Sequence, residues 1–381
     1  LLSSGGLKDM TQQELGASLR ARGALALVSA SEDAFSIGNT GPAGSPTPAT
    51  ELDLQMQLIA ASLTEPGWRP DMWPTFVKLE RDADRTADAS PGPVFSHHAA
   101  LMLHSGDMRW SYPSGATSAT WKPQDAEAFM APILATAPLE LIVVGDVTVD
   151  QAIAATAKTL GALPPRREAP EPPGLRDVQF PAATPTPIVL RHKGRADQAM
   201  LDVSWPATDL FADTRGYAAA SVLAEILRNR ATDQFRVAEG KTYSPNAQAV
   251  FSRELPGYGR IAISVNLKPE DVDGVYQAID AIAADLAAKP VAADEFARAA
   301  GPLIEAARRS LRINEVWVSY LSGAQTDPRR VAYLRNMLPQ LQSLTPDDVQ
   351  ASARRWLVKD KSWRMTILPQ TQTAAVAPPV S

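Results

Sequence analysis

The chain has 381 residues, with 37 Lys and Arg against 42 Asp and Glu and a formal net charge of −5. That balance gives no general attraction to nucleic acid or to an anionic membrane surface. Cysteine is absent and histidine occurs four times. This excludes disulfides, thiolate metal sites, iron–sulfur clusters and cysteine nucleophiles, and it restricts metal chemistry further.

In chain order, Thr11–Arg22 is predicted to be a helix. Thr11 stands at the N-cap, Glu14 at the capping-box position, and Gly23 stops it. Ala24–Ala30 and Ala34–Gly38 are expected to form a hairpin. Helices are expected at Leu52–Leu63, Trp73–Arg85, Val94–Leu103, Gln124–Leu134 and Thr148–Leu160, with a short buried strand at Leu139–Val144. Eight of the 24 residues from Pro164 to Pro187 are proline, the composition of a stiff, extended linker. Beyond it, Ile188–His192 and Gln198–Trp205 read as strands and Leu210–Leu227 as a helix with one apolar face. Thr242–Ser252 and Gly259–Leu267 alternate around a Pro256–Gly257 turn, which is a hairpin pattern. Helices at Pro269–Leu286, Asp294–Ser319 and Asp347–Leu357 follow, then a last strand at Ser362–Leu368.

Both halves mix strands with long helices. The expectation is an α+β fold of two domains, each an antiparallel-rich sheet with helices packed on one face. The first domain spans residues 1–163, the linker 164–187 and the second domain 188–368, with a disordered tail at 369–381. No apolar run of eighteen residues occurs, so no membrane insertion is expected. The opening residues lack the basic region of a signal peptide. The first domain is expected to be truncated at its N-terminus, with fewer strands before the linker than after it.

Few motifs carry chemistry. Gly257, Gly259 and Ala262 spell the dinucleotide pattern GxGxxA, but that mechanism needs a helix after the glycines, and a strand is predicted there. The residues read as a hairpin turn. His97, His98 and His104 cluster in sequence without a glutamate at zinc-peptidase spacing: neither HxxEH nor HExxH is present. They read as ordinary, partly exposed side chains, and no metal site is assigned. His192 stands alone on a strand. The most informative stretch is Leu223–Pro245, in which a helix ends and a polar turn leads to Phe235, Arg236 and, seven residues after Arg236, Tyr243. A cation and a phenol brought together there could donate hydrogen bonds to a peptide carbonyl or an oxyanion. On residue types alone, a surface arginine and a strand tyrosine is the favoured reading.

Several segments agree, in order, with one family. Phe235–Ser244 (FRVAEGKTYS) after the helix at Leu223–Leu227 resembles the segment "LRExxGLxYS" of the insulinase/pitrilysin family, the inverted zincins. Leu141–Val147 (LIVVGDV) resembles the strand that closes a family domain, and Gly6–Leu15 resembles an early family helix. Met108–Trp110, and Ile313 and Asn314 with Trp317, resemble the long bacterial pitrilysin-like proteases in particular. The resemblance implies two homologous α+β domains forming half of a clamshell. The chain lacks HxxEH, so it is expected to be the zinc-free C-terminal half of a metalloendopeptidase, or a metal-free subunit of one. Zinc and the catalytic residues would lie in an HxxEH-bearing N-terminal half or subunit, with none in this chain alone. Arg236 and Tyr243 would bind peptide substrate. The long bacterial members are exported, so the resemblance implies a periplasmic protein. The alternative is an inactive structural or peptide-binding protein of the same fold.

Overall fold

The computed structural model describes residues 2, 4–39, 46–166, 171–239 and 244–370. In chain order the elements are α1 (Gln12–Leu19), β1 (Leu27–Ala30), β2 (Phe35–Gly38), α2 (Leu52–Thr64), α3 (Trp73–Thr86), α4 (Pro91–Leu103), α5 (Gly115–Ser118), α6 (Pro123–Thr136) and α7 (Val149–Ala157). Then come β3 (Ile188–His192), β4 (Ala199–Pro206), α8 (Thr214–Glu239), β5 (Ser244–Phe251), β6 (Gly259–Leu267), α9 (Val272–Ala288), α10 (Ala293–Ser310), α11 (Asn314–Leu321), α12 (Arg329–Gln342), α13 (Pro346–Trp356) and β7 (Trp363–Pro369). The fold is α+β, as expected. Among the described residues no helix is long and apolar enough to cross a membrane.

The chain divides into two compact units, each drawn from three stretches. The first takes the residues up to Asp82, Ser114–Pro173 and Arg308–Arg335. Its sheet is the antiparallel pair β1–β2. Its core is small and centres on Met56, Leu58 and Leu63 of α2 with Leu134 of α6 and Ala155 of α7. Gln55 fixes the entry to β1: its Oε1 accepts from Leu25 N at 3.0 Å and its Nε2 donates to Leu25 O at 2.8 Å. The predicted capping box of α1 is present. Thr11 Oγ1 accepts from Glu14 N and Glu14 Oε2 accepts from Thr11 N, an arrangement worth about 1 kcal/mol. Leu139–Val144, predicted as a strand, is not one. Its residues have the right composition, but a strand exists only with a neighbour to share its hydrogen bonds, and no such ladder forms among the described residues.

The second unit takes Ala83–Pro113, Gly174–Ala307 and the residues from Asn336 onward. Its five strands lie in the order β3-β7-β4-β6-β5. β3 and β7 are parallel and every other neighbouring pair is antiparallel, so the sheet is mixed. The apolar alternation of β4 and β6 puts Leu201, Val203, Trp205, Ile261, Ile263 and Val265 on one fully buried face. α8 lies against β5 and β6 on that side, and α9 and α13 pack with α8.

α4 packs on the other face. Its Val94, Ala99 and Leu103 bury against Met200, Trp363, Met365 and Ile367. A helix that precedes the proline-rich segment in sequence therefore belongs with the sheet that follows it. The described part of that segment, 164–166 and 171–187, carries no helix or strand, yet its later part is packed. Val178 is buried with Leu255 and Tyr258, and Thr184 Oγ1 donates to Arg364 O at 3.1 Å.

Besides the short α5, which was not predicted, three helical stretches differ from expectation. α8 continues twelve residues past Leu227, because Leu227, Ala231 and Phe235 recur every four residues and all are buried. The predicted helix at Asp294–Ser319 is two helices with a break at Leu311–Ile313. α12 was not expected; Pro339 inside it is a residue that usually ends a helix.

Candidate functional site

Period-two alternation gives the sheet of the second unit a polar face opposite its helix-covered one. On β4 that face carries Met200, Asp202 and Ser204; on β6 it carries Arg260, Ala262, Ser264 and Asn266. Edge strand β5 adds Ser244, Asn246, Gln248 and Val250, all exposed. α4 covers the end of this face formed by β3 and β7 and reaches Met200 of β4. The β6–β5 end stays open and polar.

Where the covered and open parts meet, four polar side chains form a relay. Asp202 is 1% exposed and Ser204 is fully buried. Ser204 Oγ donates to Asp202 Oδ1 at 2.6 Å and Ser264 Oγ donates to Oδ2 at 3.1 Å. Arg260 Nη1 in turn donates to Ser204 Oγ at 2.9 Å. Burial raises the Asp202 carboxyl above its ordinary value, while the Arg260 charge and the two hydroxyl bonds pull it back. A buried carboxylate with two donors is a fixed acceptor; it sets both hydroxyls and, through Ser204, one edge of the arginine.

Beside the relay, at the end of α4, the His104 ring lies between two aromatics. It stacks on Trp110 at 4.2 Å and on Tyr258 at 4.7 Å between centroids. Its Nδ1 donates to Ala100 O at 2.6 Å, and Tyr258 OH donates to Leu103 O at 2.9 Å. Burial lowers the His104 pKa below the usual histidine value.

The histidines do not fit a metal site. His104 has one nitrogen engaged and its ring enclosed. Buried His192 uses both nitrogens locally: Nε2 donates to Gln198 O and Nδ1 accepts from Gly194 N. His97 and His98 are sequence neighbours on α4 with ring centroids 5.0 Å apart. Among the described residues no three of His, Asp and Glu gather as metal ligands would. The GxGxxA residues form a hairpin end. Gly257 takes φ of 69° and donates its N–H to Asp209 Oδ2 at 2.8 Å, and Gly259 opens strand β6. A Cβ at Gly259 would stand 2.1 Å from Thr208 O, so close backbone approach, not phosphate binding, accounts for this glycine.

Of the two residues singled out for substrate binding, Arg236 lies in the last turn of α8 and not after the helix; its side chain is outside the described part. Tyr243 lies outside the described residues, and the next residue, Ser244, opens β5. The relay of Asp202, Ser204, Arg260 and Ser264 was missed from sequence. Its signal is nonetheless there: in GRIAISVNL the apolar residues at 261, 263, 265 and 267 alternate with Arg260, Ser264 and Asn266. In AMLDVSWP, Asp202 and Ser204 share one phase.

Comparison with known proteins adds three observations. The peptidase M16 inactive domain family matches residues 120–303. No curated protein sequence matches. Among solved structures, the periplasmic protease PqqL from Escherichia coli superposes with a TM-score of 0.76 at 14% identity, over 97% of this chain and 40% of that one. A peptidase M16 inactive domain from Pseudomonas fluorescens gives 0.75 at 19% identity, over 97% of this chain and 87% of that one. The ferredoxin protease FusC, solved in complex with Arabidopsis ferredoxin, gives 0.76 at 15% identity, over 97% and 40%. The chain thus spans about two fifths of the length of the two proteases, PqqL and FusC, that it resembles in fold.

Proposed function

Because the chain belongs to the peptidase M16 (insulinase/pitrilysin) family, whose inactive domain it carries at residues 120–303, we propose that it is the non-catalytic half of a zinc metalloendopeptidase. It binds peptide opposite an HxxEH-bearing half, on the same polypeptide or a separate subunit. The family match is the observation that carries this reading; the shared fold over nearly the whole chain supports it. Zinc belongs to the partner half, since the histidines of this chain do not fit a metal, and no step of the reaction passes through a metal here. The compartment proposed is the periplasm, carried over from PqqL.

The work of this half is binding and charge placement. Arg236 and Tyr243 supply a cation and a phenol as hydrogen-bond donors to the substrate carbonyl or to the oxyanion that forms from it. Removing one donor of that kind costs about 2–4 kcal/mol of transition-state stabilisation, or two to three decades in rate. Arg236→Ala and Tyr243→Phe, each made in the complex with the HxxEH half, are expected to lower peptide kcat/KM by about a hundredfold or more at an unchanged melting temperature. Cleavage at the parent rate by both variants would instead favour a structural or peptide-binding role.

A further inference from the structure

An arginine on a rigid strand, held from behind and open in front, is a recognition element for planar anions. Arg260 meets that description on three counts. It sits on β6 in register with Pro206 of β4 and Val250 of β5, so backbone pairing on both sides fixes its base. Its Nη1 is committed to Ser204 Oγ at 2.9 Å, and Ser204 is itself locked by the buried Asp202. Among the described residues that is its hydrogen bond, and no ion pair joins it to a carboxylate. Two arginines of this unit, half-buried Arg230 and exposed Arg215, contrast with it. Arg230 is forked onto Glu295 and bonded to Asp285, and Arg215 pairs with Asp348; both are neutralised within the fold. Arg260 is not paired in this way. It reaches Asp202 only through an intervening hydroxyl, so four of its five N–H donors remain for a ligand.

Its surroundings say what kind of ligand. Val250 and Pro206 flank it in register, and farther along the open face come the amides and hydroxyls of Gln248, Ser264, Asn246 and Asn266, which suit an extended backbone and add no competing charge. At the α4 side the stacked column of Trp110, His104 and Tyr258 closes the patch. We propose that Arg260 anchors a peptide carboxylate on the open face of the sheet, either an acidic side chain or a C-terminal carboxylate, with Ser204, Asp202 and Ser264 as its positioning residues. The proposal rests on the reading of this chain as a peptide-binding half and names the substrate feature that half selects.

The experiment measures binding to the full chain, without the partner half, by fluorescence anisotropy of labelled peptides. Three peptides share one neutral core: one with a single central glutamate and an amidated end, one neutral with a free carboxyl end, and one neutral with an amidated end. At least one of the first two is expected to bind about tenfold or more tightly than the third, the scale of one charge-assisted hydrogen bond. Which of them does so identifies the source of the carboxylate. Arg260→Gln removes the preference, Arg260→Lys retains part of it, and Ser204→Ala reduces it. Thermal melts accompany each variant, and the charge-retaining Arg260→Lys serves if Arg260→Gln fails to fold. Equal affinity of the parent for all three peptides overturns the carboxylate anchor but leaves peptide binding standing. A preference that survives in Arg260→Gln also overturns it. If none of the three peptides binds, the anchor and the peptide-binding reading both fall.

Discussion

Two titratable side chains of the second unit are held away from their ordinary ionisation, in ways that melting experiments can read. Asp202 is the clearer. Burial raises its folded pKa above the unfolded value of 3.8, against the pull of Arg260, Ser204 and Ser264. The sign follows: the folded state disfavours the charged form, so the stability that Asp202 contributes is intact below its unfolded pKa and is lost as pH rises through the folded one. Asp202→Asn removes that dependence. The melting temperature of Asp202→Asn relative to the parent is expected to climb as pH is raised from about 4 to 7; a constant offset would contradict it. His104 works the other way, since burial lowers its pKa and acidification therefore costs the fold. Neither effect could be read from the chain in advance. A lone aspartate in AMLDVSWP looks like a polar tip on a half-exposed strand. Only the pairing of β4 with β6 and β7 shows that it is enclosed.

Among the elements, α8 is where local pattern and tertiary context diverge most. After Leu227 the sequence RNRATDQ is polar and suggests a turn, which placed Arg236 beyond the helix. Two buried positions, Ala231 and Phe235, extend the helix because they keep the four-residue spacing on the core side. Arg230 stabilises the same stretch through its bonds to Asp285 of α9 and Glu295 of α10. Phe235 is thus the anchor of the last turns of α8. Phe235→Ala is expected to cost about 3 kcal/mol, as for other large-to-small changes in cores, measured by urea denaturation. A change under about 0.5 kcal/mol, the scale of a surface substitution, would mean that the final turns do not dock. The hairpin β5–β6 and strands β3, β4 and β7 were legible because alternation and turn residues are local signals. The seam at Leu311–Ile313, where Arg312 N and Ile313 N bond back only three residues, carries no Gly or Pro to announce it.

Across the molecule, order is unevenly supported. The second unit buries a five-stranded sheet between α4 on one side and α8 and α9 on the other, with fully buried Trp205 and Trp363 within it. In the first unit the two-stranded sheet has a single buried position, Gly38, and α1 and α11 contribute no buried residue. Local opening draws on such lightly packed segments first. Native-state hydrogen exchange is therefore expected to leave β4, β6 and β7 amides protected longest, with β1, β2 and α1 exchanging well before them. Uniform protection in both sheets would refute this. Among the described residues the first unit has two strands and the second five. What the sequence did not disclose is the interleaving of the two units, because the burial of α4 against β3 and β7 joins residues far apart in the chain.

The position of β7 has a consequence for the making of this protein. Among the described residues it is the last strand in chain order, yet it stands inside the sheet between β3 and β4, and β3 has no other strand partner there. During synthesis, β3, β4, β5 and β6 all leave the ribosome before the strand that joins them into one sheet. Until Trp363 and the residues after it emerge, β3 is unpaired and one edge of β4 is bare, so the sheet of this unit closes only when its late strand arrives. A message truncated shortly before residue 363 would yield a chain that holds β3, β4, β5 and β6 and no complete sheet.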